Sequence, residues 1–283
     1  MNDATPSSRT PVRRAARLAL LLAAFLALLP AGCRMTRPGD DGGRFVQREL
    51  VHAGMTYRYQ VFVPARRFRG GALPVVLFLH GSGERGSDGV RQTQSGLGPY
   101  LRTHAGSFPA LAVFPQSPEG RSWDGEVATM AMAALEAASA EFGGDPARTY
   151  LTGLSRGGYG VFELALLQPH RFAALVPICG GITPPGRPEL ATLRVESLAR
   201  EAIDPYFAAA TRLSHLPIWL FHGARDEVVP PAQSRRLYQA FQATGAGEVR
   251  YTEYPEAGHN AWDAAYAEPE LWSWLLAQRL PPR

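Results

Sequence analysis

The chain has 283 residues, of which 46% are hydrophobic and 10% aromatic, so it is long enough to bury one substantial core. Its formal net charge is +4, but four arginines and one aspartate place +3 of that within the first 17 residues. The remaining chain is close to neutral, which argues against nucleic acid or an anionic surface as a partner.

The N-terminal segment has the features of a bacterial export signal. Arg13 and Arg14 precede an apolar run over residues 18–29, which is too short to span a bilayer comfortably. The run ends in Leu-Pro-Ala-Gly-Cys at residues 29–33, and this ending resembles the lipobox of bacterial lipoproteins. The resemblance implies a signal peptide over residues 1–32 and lipidation at Cys33. The lipid attached to Cys33 would then anchor the chain to a membrane.

Two points about this leader stay open. Pro30 stands where lipoboxes usually have leucine, so ordinary cleavage and secretion as a soluble protein is the first alternative, and an uncleaved membrane anchor is the second. Residues 33–43 are polar and glycine-rich, as expected of a flexible tether. Arg34 follows the cysteine where retention at the inner membrane would call for aspartate, which favours the outer membrane or the periplasmic face of the cell envelope.

The sequence from residue 44 to 283 predicts one α/β domain. Alternating patterns at 45–51 and 55–63 predict an antiparallel hairpin. Apolar and β-branched runs predict further strands at residues 73–79, 111–115, 149–152, 173–178, 217–221 and 248–254. Helices are predicted at residues 126–142, 158–167, 231–243 and 269–280. Alternation of strands and helices implies right-handed crossovers and a mainly parallel, doubly wound sheet.

The segment 184–214 is less regular than its surroundings. It lies between two predicted core strands, at the end of the sheet where ligands bind in such folds. It is either a cap over a site or a plain surface excursion, and the residues do not distinguish the two.

The most informative motif is Gly153-Leu-Ser155-Arg-Gly157 between a predicted strand and a predicted helix. This setting is typical of a nucleophile elbow, in which a strained turn holds a serine hydroxyl clear of the sheet. The glycines are needed because a side chain at either position would collide with the neighbouring strand and helix. A plain glycine-rich turn is the alternative.

A catalytic serine needs a base and a carboxylate that orients the base, in the chain order serine, acid, histidine. Asp226 follows the strand at 217–221, and His259 follows the strand at 248–254. Both therefore lie where the mechanism requires. Glu227 and Asp263 are the substitutes to test first.

An oxyanion hole needs two N–H groups aimed at one point. The amide of Arg156, which opens the helix after the elbow, is one candidate. The glycine-rich loop 80–86 supplies the other, with Ser82 preferred and Gly83 the alternative. His80 and His222 are expected to make structural hydrogen bonds. Cys179 is expected to be a buried small side chain without a disulfide partner.

Other polar and aromatic residues near these motifs carry two interpretations each. Trp123 is either an apolar wall for a substrate group or a packing residue. Glu84, Arg85 and the Arg156 side chain either contact substrate or brace loops.

Taken together, these motifs resemble the α/β-hydrolase superfamily, more narrowly its esterases and peptidases related to feruloyl esterases, polyhydroxybutyrate-depolymerase-type esterases and dienelactone hydrolases. The resemblance is carried by the segments at residues 80–86, 122–124, 153–158, 177–181, 221–226 and 258–262. It implies Ser155 as nucleophile, Asp226 as acid and His259 as base, with no cofactor and no metal.

The expected activity is hydrolysis of carboxylic esters through an acyl-enzyme, on a small-molecule or polymer-linked ester. A serine peptidase of the prolyl-oligopeptidase type is the first alternative. A catalytically inactive, ligand-binding lipoprotein is the second, and the intact serine, aspartate and histidine argue against it.

Overall fold

The computed structural model describes residues 42–199 and 203–282. The predicted signal peptide, Cys33 and all but the last two residues of the predicted tether lie outside these ranges. Within them, no helix combines the length and the apolar character that crossing a bilayer requires.

The described residues form one sheet with both antiparallel and parallel pairs. Its strands are β1 (Arg44–His52), β2 (Met55–Val63), β3 (Leu73–Leu79), β4 (Leu111–Pro115), β5 (Gly144–Leu154), β6 (Ala174–Ile178), β7 (Ile218–Gly223) and β8 (Val249–Tyr254). The spatial order is β1-β2-β4-β3-β5-β6-β7-β8. β1 pairs antiparallel with β2, and β2 with β4, whereas every other neighbouring pair is parallel.

Helices cover both faces of the sheet. They are α1 (Leu97–Thr103), α2 (Gly125–Phe142), α3 (Arg156–Leu167), α4 (Pro205–Leu213), α5 (Ala232–Ala243), α6 (Trp262–Tyr266) and α7 (Leu271–Ala277). The core therefore has two halves: Val75 and Leu77 of β3 point into the half that holds α2 and α3, and Val76 and Phe78 into the half that holds α1 and α7. The predicted doubly wound sheet with an N-terminal antiparallel hairpin is confirmed.

The main departures from the sequence prediction lie at short helices. α1 is not predicted because Gly98 and Pro99 sit in its first turn, and proline is tolerated only at that end of a helix. The helix predicted at 269–280 is shorter, and α6 precedes it. The segment 184–214 contains two single 3-10 turns and α4.

Candidate active site

Ser155 occupies the turn between β5 and α3. Its φ is +53° and its ψ is −118°, a backbone conformation that costs a side-chain-bearing residue roughly 1–3 kcal/mol. The glycines on either side are required by space. A Cβ at Gly153 would lie 2.5 Å from the carbonyl oxygen of Gly157, and a Cβ at Gly157 would lie 1.9 Å from that of Leu79. The turn is therefore held by close backbone packing.

The backbone strain at residue 155 predicts a difference in stability between two variants at this position. Ser155→Gly is expected to be more stable than Ser155→Ala by about 1 kcal/mol, because glycine adopts positive φ freely and this gain exceeds its entropy cost. Urea denaturation of the two variants, both of which lack the hydroxyl, measures the difference. Equal stability would contradict the assignment of strain to this residue.

A chain of hydrogen bonds joins the three side chains expected to form the catalytic group. His259 Nε2 lies 2.9 Å from Ser155 Oγ, and its Nδ1 lies 2.7 Å from Asp226 Oδ2. An ionised carboxylate only accepts hydrogen bonds, so Nδ1 carries the proton and Nε2 keeps a lone pair for the serine hydroxyl. This is the tautomer that a general base needs.

Neither substitute for Asp226 takes its place in the structure. Glu227 is exposed. The carboxylate of Asp263 accepts a hydrogen bond from the Asn260 side chain at 2.8 Å. Asp226 is therefore the carboxylate that orients His259 in this fold.

Asp226 is buried, and its surroundings keep it ionised. Its Oδ1 accepts hydrogen bonds from the backbone amides of Val228 and Val229, both at 2.9 Å. Burial alone would raise the pKa of Asp226, but hydrogen bonds from His222, His259 and the Val229 amide outweigh burial and hold that pKa well below its usual range. The carboxylate is thus charged throughout the neutral range.

The expected oxyanion donors lie around Ser155. Arg156 is the first residue of α3, so its amide N–H has no acceptor within its own helix. Ser82 and Gly83 both line the cavity that contains Ser155, so either amide is a candidate for the second donor.

The cavity beside Ser155 has a volume of about 250 Å³. Its walls are mostly apolar, and Glu84 and His259 add charged or polar groups. The apolar walls are Leu154, Leu190, Leu193, Val228 and Trp262. Leu154 belongs to the elbow motif itself, whereas Leu190 and Leu193 were missed because no local pattern connects their irregular segment to the elbow.

Comparison with known proteins agrees with this geometry. A family model described as the prolyl oligopeptidase family matches residues 189–278, a range that contains Asp226 and His259. A solved structure of a thermostable esterase is 29% identical, with a TM-score of 0.64, and the match covers 83% of this chain and 63% of that one. The chain has the α/β-hydrolase fold.

Two further matches support this assignment. A segment of 64 residues, 21% of this chain, is 41% identical to the esterase LipQ of Mycobacterium tuberculosis and covers 15% of that protein. A ferulic acid esterase has the same fold at 15% identity, with a TM-score of 0.63 over 83% of this chain and 97% of that one. The chain thus spans less than two thirds of LipQ and of the thermostable esterase. The predicted relation to esterases and serine peptidases is confirmed.

The side chain of Arg156 braces the loop that carries Ser82. It is buried, its Nε donates to Ser82 Oγ at 2.9 Å, and its Nη1 donates to Ser122 Oγ. Burial, followed by the nearby charge of Arg85, lowers the pKa of Arg156 from its ordinary high value. The bracing interpretation therefore describes this side chain, while its backbone amide has no acceptor within its own helix.

This bracing predicts a loss of catalytic rate when the Arg156 side chain is replaced. Arg156→Met removes both hydrogen bonds to the serine hydroxyls and lets the Ser82 loop shift, which is expected to lower kcat for an ester by roughly 10- to 100-fold with little change in KM. Steady-state kinetics measures both constants. Arg235→Met, which removes an exposed arginine bonded to Glu253, is the control. An equal loss in the control would contradict the prediction.

Trp123 does not line the cavity beside Ser155, so its interpretation as a substrate wall is wrong for this structure. It is 2% exposed, its Nε1 donates to the backbone oxygen of His80 at 3.0 Å, and its ring meets the His80 ring edge-on at 4.8 Å between centroids. The close fit of its side chain against Gly160 explains why it turns inward. Trp123 is a packing residue beneath the loop 80–86.

His80 has the structural role expected of it. Its Nδ1 donates to the carbonyl of Gly81 at 2.7 Å, and its Nε2 accepts from the amide of Ser117 at 3.0 Å. Both ring nitrogens are therefore used by a neutral imidazole. His80 ties the loop after β3 to the loop after β4.

This buried imidazole predicts a loss of stability in mild acid. Burial lowers the pKa of His80 from 6.5 to about 4, so between these values the unfolded chain binds a proton that the folded chain does not. The free energy of unfolding then decreases as pH falls from about 6.5 to about 4, by about 3 kcal/mol from this residue. Urea denaturation at several pH values is expected to show a flatter dependence in His80→Gln. Exposed His104→Gln should keep the wild-type slope, and the same slope in all three proteins would contradict the prediction.

Three buried side chains beneath the site also form a compact group. Ligand atoms of Cys179, His222 and Asp226 lie within 4.8 Å of one another. His222 Nε2 points its proton at the Val229 carbonyl at 2.8 Å and also lies 3.3 Å from Asp226 Oδ2. Burial, together with the charge of Asp226, raises the pKa of the Cys179 thiol to about 12. Cysteine, histidine and aspartate together could hold a metal ion, but a protonated thiol and a protonated nitrogen are poor metal ligands. We assign this group to the support of Asp226.

Proposed function

We propose that the chain is a serine hydrolase that cleaves carboxylic esters through an acyl-enzyme, with Ser155, His259 and Asp226 as the catalytic group. The observation that carries the proposal is the continuous hydrogen-bond chain from Asp226 through His259 to Ser155, which ends in a mostly apolar cavity. A carboxylic ester offers the electrophilic carbonyl and the apolar body that such a site accommodates.

In the first half of the proposed reaction, Ser155 Oγ attacks the ester carbonyl while His259 Nε2 takes its proton. The carbonyl oxygen becomes an oxyanion that accepts hydrogen bonds from the Arg156 amide and from that of Ser82 or Gly83. The imidazolium then gives its proton to the leaving alcohol, and the acyl group stays on Ser155. Asp226 stays ionised and stabilises the imidazolium.

In the second half, water takes the place of the alcohol. His259 removes a proton from this water as it attacks the acyl carbon, and the same proton returns to Ser155 Oγ when the acid leaves. The proposed chemistry therefore uses residues of the chain and water alone, with no cofactor. Either a small-molecule ester or an ester that is part of a polymer could enter the open cavity.

A serine peptidase of the prolyl-oligopeptidase type is the second candidate. The match of residues 189–278 to that family is the specific observation in its favour. Ester cleavage is preferred because an alcohol leaves more readily than an amine and because LipQ and the thermostable esterase are described as esterases. An inactive, ligand-binding protein is disfavoured because the hydrogen-bond chain is intact.

We also propose that the chain is anchored at the cell envelope. A lipid-bearing Cys33 after removal of residues 1–32 would place the hydrolase at the cell envelope, where it would act outside the cytoplasm. Metabolic labelling with palmitate tests this directly. Labelling that is lost in Cys33→Ser supports the anchor, and labelling that survives the substitution rules out lipidation at that residue.

The activity itself is tested with a soluble form that lacks residues 1–33. Short-chain nitrophenyl esters and peptide amides are offered to this protein and to Ser155→Ala. Ester turnover that disappears in the variant supports the esterase, and turnover of peptides alone supports the peptidase. The absence of any serine-dependent turnover would overturn both enzymatic proposals.

A further inference from the structure

A carboxylate lies in the same cavity as the proposed nucleophile. Glu84 belongs to the loop after β3 and lines the cavity beside Ser155. A Cβ built on Gly81 would lie 3.2 Å from Glu84 Oε2 and 3.6 Å from Ser155 Cβ, so the carboxylate and the serine flank the same glycine. Glu84 is therefore close enough to Ser155 to meet a group that neighbours a carbonyl bound there.

Glu84 has one neutral partner and no cationic partner among the described ion pairs. The hydroxyl of Ser95 donates to Oε1 at 2.8 Å. The two nearby arginines are engaged elsewhere: Arg85 lies 3.7 Å from Glu119, and Arg156 is bonded to serine hydroxyls. The negative charge of Glu84 is thus available to a bound molecule, and a carboxylate in a partly desolvated site favours a hydrogen-bond donor.

The backbone of this loop holds Glu84 in place before any substrate arrives. The side-chain amide of Gln116 donates to the Glu84 carbonyl at 3.1 Å, and the amide of Gly86 donates to the Ser117 carbonyl at 2.9 Å. Arg85 Nε donates to the Ser82 carbonyl at 3.0 Å. A group fixed in this way binds with a smaller loss of conformational entropy than one on a mobile loop.

We propose that Glu84 selects the substrate by accepting a hydrogen bond from a hydroxyl or ammonium group close to the scissile ester. The inference rests on the proposed ester hydrolysis and narrows its substrate class. The substrate is an ester with a mostly apolar body, which suits walls such as Leu193 and Trp262, and with a hydrogen-bond donor on its acyl or alcohol part. Esters that carry a free carboxylate are disfavoured by charge repulsion.

A matched set of stable esters tests this selection through kcat/KM, followed by proton release. Ethyl butyrate is the neutral reference. Ethyl 3-hydroxybutyrate and 2-hydroxyethyl butyrate carry a hydroxyl, ethyl 3-aminobutyrate carries an ammonium group, and monoethyl succinate carries an anion. The wild type is expected to favour at least one donor-bearing ester over ethyl butyrate by roughly tenfold, as a hydrogen bond to a charged group allows. Monoethyl succinate is expected to be the poorest substrate.

Two variants distinguish the two donors. Glu84→Gln removes the charge but keeps an acceptor oxygen, so it is expected to abolish an ammonium preference and to retain part of a hydroxyl preference. Glu84→Met removes both and is expected to abolish either one. Each preference is measured as the ratio of kcat/KM for a donor-bearing ester to kcat/KM for ethyl butyrate in the same protein. Glu119→Gln, which removes an exposed carboxylate outside the cavity, is the matched control and should keep the wild-type preference.

The outcomes separate this inference from the proposed function. Ser155-dependent hydrolysis of ethyl butyrate with no preference for a donor, or with a preference that survives in Glu84→Met, would overturn the inference and leave the esterase standing. No Ser155-dependent hydrolysis of any ester would overturn both. The substrate preference of the wild type tests the inference even if a variant does not fold. An ammonium preference that depends on Glu84 should decrease as sodium chloride rises from about 0.05 M to about 0.5 M.

Discussion

Replacement of Ser155 by alanine is expected to lower kcat for ester hydrolysis by about 10⁶-fold, the scale of loss when the nucleophile of a serine hydrolase is removed. No other side chain is placed to replace the Ser155 hydroxyl. Among the side-chain hydrogen bonds of the described residues, only Ser155 Oγ is bonded to His259 Nε2. Steady-state assays with a nitrophenyl ester, at enzyme concentrations high enough to detect slow turnover, measure the loss.

The control for this prediction is a serine outside the site. Ser107 is exposed and its hydroxyl donates to a backbone carbonyl, so Ser107→Ala should retain wild-type kcat. Both variants should also unfold at denaturant concentrations close to that of the wild type. Activity of Ser155→Ala above about 1% of the wild type, in protein shown to be folded, would exclude Ser155 as the nucleophile.

Asp226→Asn is expected to lower kcat by about 10⁴-fold while the fold stays intact, the loss measured when the aspartate of a serine protease triad is replaced in the same way. Asparagine can donate from its amide nitrogen to His259 Nδ1, which shifts the imidazole proton to Nε2 and leaves no lone pair for the serine hydroxyl. It also loses the negative charge that stabilises the imidazolium. kcat measured from pH 6 to pH 9 should stay low throughout, because a wrong tautomer is not corrected by a higher pH.

Two neighbouring carboxylates provide the comparison. Glu227→Gln and Asp263→Asn are expected to change kcat by less than about threefold, because Glu227 is exposed and Asp263 is bonded to Asn260. If either of these variants lost more activity than Asp226→Asn, the orientation of His259 would have to be reassigned to that residue.

The parts of the fold that follow from local pattern were predictable. The apolar runs of β3 and β4 and the alternation of β2 mark buried and half-buried strands. The motif around Ser155 marks the turn into α3, because glycines are the residues that such close backbone packing admits. Asp226 and His259 each follow a strand, which places them at one edge of a parallel sheet.

The parts that depend on distant contacts were not predictable. Trp123 precedes α2 in a polar loop, and nothing in its neighbours shows that its ring turns inward beneath His80. Leu190 and Leu193 reach the cavity from an irregular segment whose path no periodicity defines. The sequence alone left residues 184–214 as either a cap over the site or a plain surface excursion. Leu190 and Leu193 show that part of this segment forms a wall of the site.

The central claim is that the acyl group of an ester becomes attached to Ser155 during turnover. Rapid quenching of the form that lacks residues 1–33 during reaction with a nitrophenyl ester, followed by peptide mapping by mass spectrometry, tests it directly. We predict an acyl group on the peptide that contains Ser155, absent from Ser155→Ala and released on further incubation. Continued ester turnover with the acyl group on another residue, or with no acylated peptide even when the quench precedes the first turnover, would contradict the account.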